Sequence, residues 1–110
     1  MALKLNVFRT ITEVVSTSPT EIYTAPIGYT GVILLCQVAN ISTTNSYDIT
    51  LVHRRDSTDT EIFKTFPIPA QDTSNLLTGK LVLEAGDKLV LSGSNGTNLK
   101  FIASILETLD

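Results

Sequence analysis

Gly79-Lys-Leu-Val-Leu-Glu-Ala-Gly-Asp-Lys-Leu-Val-Leu-Ser-Gly-Ser-Asn-Gly96 is the stretch whose reading decides the fold class. Leu81 and Leu83 point to one side of a pleated strand, and Leu89 and Leu91 repeat the alternation after Ala85-Gly86-Asp87. Apolar residues that recur every second position fit a sheet and not a helix, so the expectation is two strands joined by a tight connection as a hairpin. Asn95-Gly96 favours the positive φ values of a two-residue hairpin turn, and a further strand follows from Leu99.

Outward from this stretch the same pattern recurs. Towards the C-terminus, Leu99, Phe101, Ala103 and Ile105 share one face while Ile102 and Leu106 take the other, a strand apolar on both sides. Towards the N-terminus, Glu61 to Phe66 reads as a strand closed by Pro67-Ile68-Pro69, an edge segment that resists pairing. It follows a charged hairpin loop over 55–60 and a half-buried strand with Tyr47, Ile49, Leu51 and His53 on one face. Gly31 to Ile41 is apolar on both pleat faces, with Val32, Leu34, Cys36 and Val38 on one and Ile33, Leu35, Ala39 and Ile41 on the other. Glu21 to Thr24 is a short strand before Pro26. Leu3, Leu5, Val7 and Ile11 line one face of a first strand, where Phe8 and Arg9 interrupt the alternation and suggest a bulge.

Eight or so short strands at regular spacing predict an all-β protein, a single antiparallel β-sandwich of jelly-roll or immunoglobulin-like type. At 110 residues there is room for one such domain, over 20–110, preceded by an N-terminal strand or arm over 1–19 that can pair with a neighbouring subunit. A small sandwich has one interior, so the second apolar faces of the Gly31 and Leu99 strands need another cover. The candidate partner interface is therefore Leu3, Leu5, Val7, Phe8, Ile33, Leu35, Ile102 and Leu106.

Composition excludes several function classes. A formal net charge of -3, from 8 Lys and Arg against 11 Asp and Glu, disfavours nucleic acid as a partner. The first residues alternate in character and no apolar run is long enough for a bilayer span, so the expectation is a protein made in a cytoplasm with no membrane partner. Cys36 is the one cysteine and sits among apolar residues, which predicts plain core packing. His53 stands alone, with no nucleophile context, and reads as a structural residue at the rim. Asp48, Asp56, Asp59 and Glu61 lack the spacing of a cation loop and alternate with Arg54 and Arg55, which favours solvated ion pairs. Glu84 and Asp87 read as turn residues. The expectation is no catalytic, cofactor-binding or metal residues, and no enzyme. Tyr23, Tyr29 and Tyr47 offer a sugar-stacking platform as an alternative role.

Five phrases in order, Tyr23-Thr-Ala-Pro-Ile-Gly28, Val38-Ala-Asn40, Phe66-Pro-Ile-Pro-Ala70, Gly79-Lys-Leu-Val-Leu-Glu-Ala-Gly-Asp87 and Ser104-Ile-Leu-Glu107, resemble a family of small β-sandwich virion proteins of tailed bacteriophages, especially those of cyanobacterial hosts. The resemblance runs from about Tyr23 to the C-terminus and leaves the first twenty residues without a counterpart. It implies a non-enzymatic protein of the virion, a capsid decoration or cement protein. The implied partners are other virion proteins, the major capsid protein foremost, and copies of itself, with a homotrimer favoured. The alternative it leaves is a neck, tail or fibre accessory protein that binds a host glycan.

Overall fold

The structure is a computed structural model that describes residues 5–110; Leu3 of the candidate interface lies outside them. Nine strands follow one another: β1 (Asn6–Val14), β2 (Thr20–Thr24), β3 (Tyr29–Asn40), β4 (Tyr47–Arg55), β5 (Thr58–Ile68), β6 (Thr73–Asn75), β7 (Leu81–Leu83), β8 (Lys88–Gly93) and β9 (Leu99–Leu109). They form two antiparallel sheets packed as a sandwich. A five-stranded sheet runs β1-β9-β3-β6, with β7 also pairing β3, and a four-stranded sheet runs β2-β8-β4-β5. Between them lies one core, to which Ile33, Val38, Phe101 and Ile105 contribute from the first sheet and Leu51 and Leu91 from the second. All-β antiparallel architecture is what the two-residue periodicity called for.

The 79–96 stretch, however, is no hairpin. β7 pairs β3 in one sheet while β8 pairs β2 and β4 in the other, so the Glu84-to-Asp87 turn carries the chain from sheet to sheet. The reason is burial. Leu89, Val90 and Leu91 are all buried, so β8 needs neighbours on both edges and a cover on both faces, and a central place between β2 and β4 provides them. Asn95-Gly96 likewise crosses between sheets and makes no two-residue hairpin: the Asn95 side-chain oxygen accepts the amides of Thr97 and Asn98 at 3.0 and 2.8 Å, an Asx-type turn. The hairpin expected near residues 55–60 is present and tight, joining β4 to β5 with Asp56 at φ +54°.

Two further expectations are corrected. In β3 a bulge between Ile33 and Leu35 reverses the pleat, so Ile33 points inward together with Cys36 and Val38, while Leu34 and Leu35 are both exposed. Simple alternation had set Ile33 on the outer face with Leu35; it is fully buried. In β1 no bulge occurs, since the register with β9 runs unbroken from Asn6↔Thr108 to Val14↔Lys100. Arg9 occupies an inward position because Glu107 of β9 neutralises it, Nε to Oε1 at 2.8 Å. The residues set apart as an arm thus include an integral edge strand of the sandwich.

Candidate interaction surface

The two sheets present unlike outer faces, and the difference follows from pairing register. Residues directly opposite each other in a sheet point to the same side. Phe8 of β1 faces Leu106 of β9, which faces Val32 of β3, which faces Val82 of β7, so one apolar row crosses four strands. Beside it lie the rows Thr10-Ser104-Leu35 and Thr12-Ile102-Gln37, then Val14-Lys100-Ala39. Phe8 is 74% exposed and Val82 54%, and the bulge adds Leu34. Lys100 is the single charged side chain in these rows. A shallow groove of about 410 Å³ opens on this side, lined in part by Thr12, Val14, Ala39, Lys100 and Ile102, with Glu13 also at its wall.

The four-stranded sheet is clothed differently. Val52 and Val90, opposite each other on its outer side, are buried, and Glu21 and Glu61 flank them in the same cross-strand row. Arg54 donates to Asp59 at 2.7 and 3.2 Å and reaches Glu21 at 3.4 Å, and its hydrogen bonds hold the Asp59 carboxyl below the ordinary carboxylate range. A cover of this kind suits water, whereas the opposite face suits an apolar partner.

Of the candidate interface residues, Phe8, Leu35, Ile102 and Leu106 come together on the outer face of the five-stranded sheet. Leu5 is 71% exposed just before β1, Val7 sits half-buried on the inner side opposite Glu107, and Ile33 is in the core. Sequence reasoning missed Val32, Leu34 and Val82. Alternation within the Leu81-Val82-Leu83 phrase already set Val82 opposite the two leucines, but only the β3–β7 register shows that it completes a row.

Among the described residues, the buried polar side-chain atoms all have hydrogen-bond partners within the fold. Asp87 is almost wholly buried and is held on all sides: Arg55 donates through Nε at 2.9 Å and Nη2 at 2.7 Å, His53 Nε2 lies at 3.1 Å, and the Glu84 amide donates at 2.9 Å. Arg55 foremost, then His53 and the amide, hold the Asp87 carboxyl well below its usual range against the opposing effect of burial. His53 is therefore a prop for the turn between the sheets. The turn also needs Gly86, which adopts φ +89° and donates its amide to Ala25 at 2.9 Å. A Cβ there would meet open space, so Gly86→Ala should cost only the left-handed conformational penalty, about 1–2 kcal/mol, read as a melting point lowered by several degrees.

A second buried cluster lies at the same end of the sandwich, where Gly31 is paired with both Leu83 and Glu107. The Tyr23 hydroxyl donates to Glu107 Oε2 at 2.6 Å, and burial together with that bond raises the tyrosine pKa well above its ordinary value. Its ring lies against Gly31, where a Cβ would stand 3.0 Å from the hydroxyl. Tyr23 is thus turned into the core and withdrawn from any stacking platform with Tyr29 and Tyr47. Burial pushes the Cys36 thiol up to about 12. Among the described residues no group of three or more His, Cys, Asp or Glu is arranged to hold a metal ion.

No family model and no curated protein matches the sequence. The solved structures that resemble the chain in fold include one of a phage capsid and one of a pilus. One belongs to the acid-stable capsid of the Helicobacter pylori bacteriophage KHP30, with a TM-score of 0.57 at 9% identity over 96% of this chain and 89% of that one. The other belongs to Bacillus endospore appendages, described as disulfide-linked pili, with a TM-score of 0.55 at 14% identity over 96% of this chain and 88% of that one. At such identities the likeness is one of architecture: this chain shares its sandwich fold with proteins of a phage capsid and of a pilus.

Proposed function

We propose that the chain is a non-enzymatic structural protein of a tailed-phage virion, a capsid decoration or cement protein that docks onto the major capsid protein through the outer face of its five-stranded sheet. The observation that carries this reading is the segregation of the two faces. One is an almost uncharged apolar surface built from four strands, the other a charged cover of ion pairs. A surface whose cross-strand rows carry one charge, Lys100, with Glu13 and Lys80 at its borders, favours an apolar neighbour and leaves the charged sheet to face solvent. Fold likeness to a capsid protein and a pilus protein supports a role in assemblies, and the pattern of sequence phrases supports the phage setting. Linkage through Cys36 has no place in this reading, since the thiol is buried in the core. The glycan-binding alternative is disfavoured by the inward turn of Tyr23.

Ile102→Glu with Leu106→Glu tests the docking face. Both positions are at the outer side, so the double variant should fold with the wild-type circular dichroism spectrum yet fail to co-sediment with capsids that bind the wild-type protein. Undiminished co-sedimentation would remove the five-stranded face from the account.

A further inference from the structure

We propose that the free edge of β1 is a homotypic seam, where two copies of this chain pair their β1 strands antiparallel across a two-fold axis centred on Thr10. Leu109 donates its amide to the Leu5 carbonyl at 2.8 Å and Val15 donates its amide to the Leu99 carbonyl at 2.9 Å, so the odd residues of this segment are the ones bonded to β9. In an antiparallel ladder the intervening residues turn their N–H and C=O groups the other way. Asn6, Phe8, Thr10, Thr12 and Val14 therefore present a regular row of donors and acceptors to the open edge.

The other described edges are guarded. β5 carries Pro67, a Thr65 at φ +48° and two register shifts against β4; β2 is five residues long with a register shift of its own, between Pro19 and Pro26; β6 and β7 are three residues each. Proline, bulges and short length are the devices that keep sheet edges from pairing. β1 has nine residues, unbroken register, no proline and no positive φ. Its inward Arg9, a charge that would otherwise guard the edge, is neutralised by Glu107.

The occupant is named by symmetry and charge. The edge-facing residues are disposed evenly about Thr10, so a second β1 places Thr10 opposite Thr10, Phe8 opposite Thr12 and Asn6 opposite Val14. Every edge-facing group then meets a partner. On the other side of the ribbon Arg9 faces Ile11 and lies diagonal to both Glu13 and Arg9 of the second copy, while Val7 faces Glu13, so no like charges stand directly opposite one another. Each exposed Phe8 comes beside the Thr12–Val14 rim of the second copy's groove. The result is one continuous sheet across both copies and two apolar outer faces joined side by side. Two-fold symmetry replaces the homotrimer that the resemblance favoured. The seam rests on the edge alone and stands whatever the outer face binds.

Two variants test it in the purified full-length protein. Thr10→Pro removes an edge-facing amide and leaves the β9 ladder whole, so it should fold while weakening the dimer by more than about tenfold in sedimentation equilibrium. Thr10→Cys places two thiols at a hydrogen-bonded antiparallel pair, whose Cα atoms stand about 5.5 Å apart, within reach of a disulfide. Mild oxidation should link Thr10→Cys into a covalent dimer, whereas Thr12→Cys, offset along the two strands, should stay unlinked. Wild-type protein that is monomeric or trimeric at tens of micromolar, or equal cross-linking of both cysteine variants, would overturn the proposal.

Discussion

Replacing Phe101 by alanine should cost about 3–5 kcal/mol, the largest loss from a single side chain in this fold. Phe101 is the largest side chain buried completely among the described residues, and it faces the core from the central strand β9, between Glu13 of β1 and Val38 of β3 in the pairing of the five-stranded sheet. Its removal takes away both the transfer free energy of the ring and the packing contacts of the walls left around it, which two hydrogen-bonded sheets cannot easily close upon. Urea unfolding should show the midpoint falling while the slope holds, because the surface exposed on unfolding hardly changes. A loss below about 1 kcal/mol would mean that the two sheets do not share one close-packed interior.

The second large effect belongs to Asp87, where substitution by asparagine should cost about 2–3 kcal/mol at neutral pH. The carboxylate is enclosed by its immediate neighbours but stands close to the surface, and Arg55 is half exposed, so water screening keeps the loss at the lower end for a broken buried pair. Asparagine keeps the size of the side chain yet turns an amide toward a guanidinium that needs an acceptor. Its loss loosens more than one turn, since the Asp87 main chain also accepts the Ala25 amide at 2.9 Å and donates to Glu84 at 2.9 Å. The pH profile carries a distinct signature. Folding lowers the Asp87 pKa, so the folded state binds this proton less tightly than the unfolded chain does. The resulting stability is fully present above the unfolded value of about 3.9 and drains away as pH falls below it. Melting curves from pH 7 to pH 2 should therefore show wild type and Asp87→Asn far apart at neutral pH and converging in acid. Parallel curves would show that Asp87 draws no stability from its charge.

How much of this was legible beforehand differs from element to element, for physical reasons. Two-residue alternation is a local property of the chain, so strands could be read from phrases such as Leu81, Leu83, Leu89 and Leu91, and the sandwich class from the recurrence of such phrases at regular spacing. Pairing is not local. Nothing within Gly79 to Gly96 says that β7 goes to one sheet and β8 to the other, and a turn rich in Gly and Asp serves a crossing as well as a hairpin. The β3 segment was the hardest, because a run apolar on both faces carries no phase signal, and the bulge that sends Ile33 inward and Leu34 outward leaves no mark in composition. The outer apolar face was half legible: Phe8, Leu35, Ile102 and Leu106 could each be assigned to an unpartnered side, but Val32 and Val82 join them only through registers that bring residues far apart in sequence together. The Asp87 network escaped for the same reason. His53, Arg55 and Asp87 lie on β4 and at the start of β8, and their convergence depends on the antiparallel match of His53 to Leu89.

The central claim is that this sandwich is attached to a phage particle by the outer face of its five-stranded sheet, and the most direct test is to locate it in an electron-microscopy map of intact particles. The account predicts density for the chain on the capsid surface, with Phe8, Val32, Leu106 and Val82 buried against the major capsid protein and with Arg54, Glu21 and Asp59 toward solvent. Particles that lack the chain, or that bury the charged sheet and leave the apolar row exposed, would contradict it.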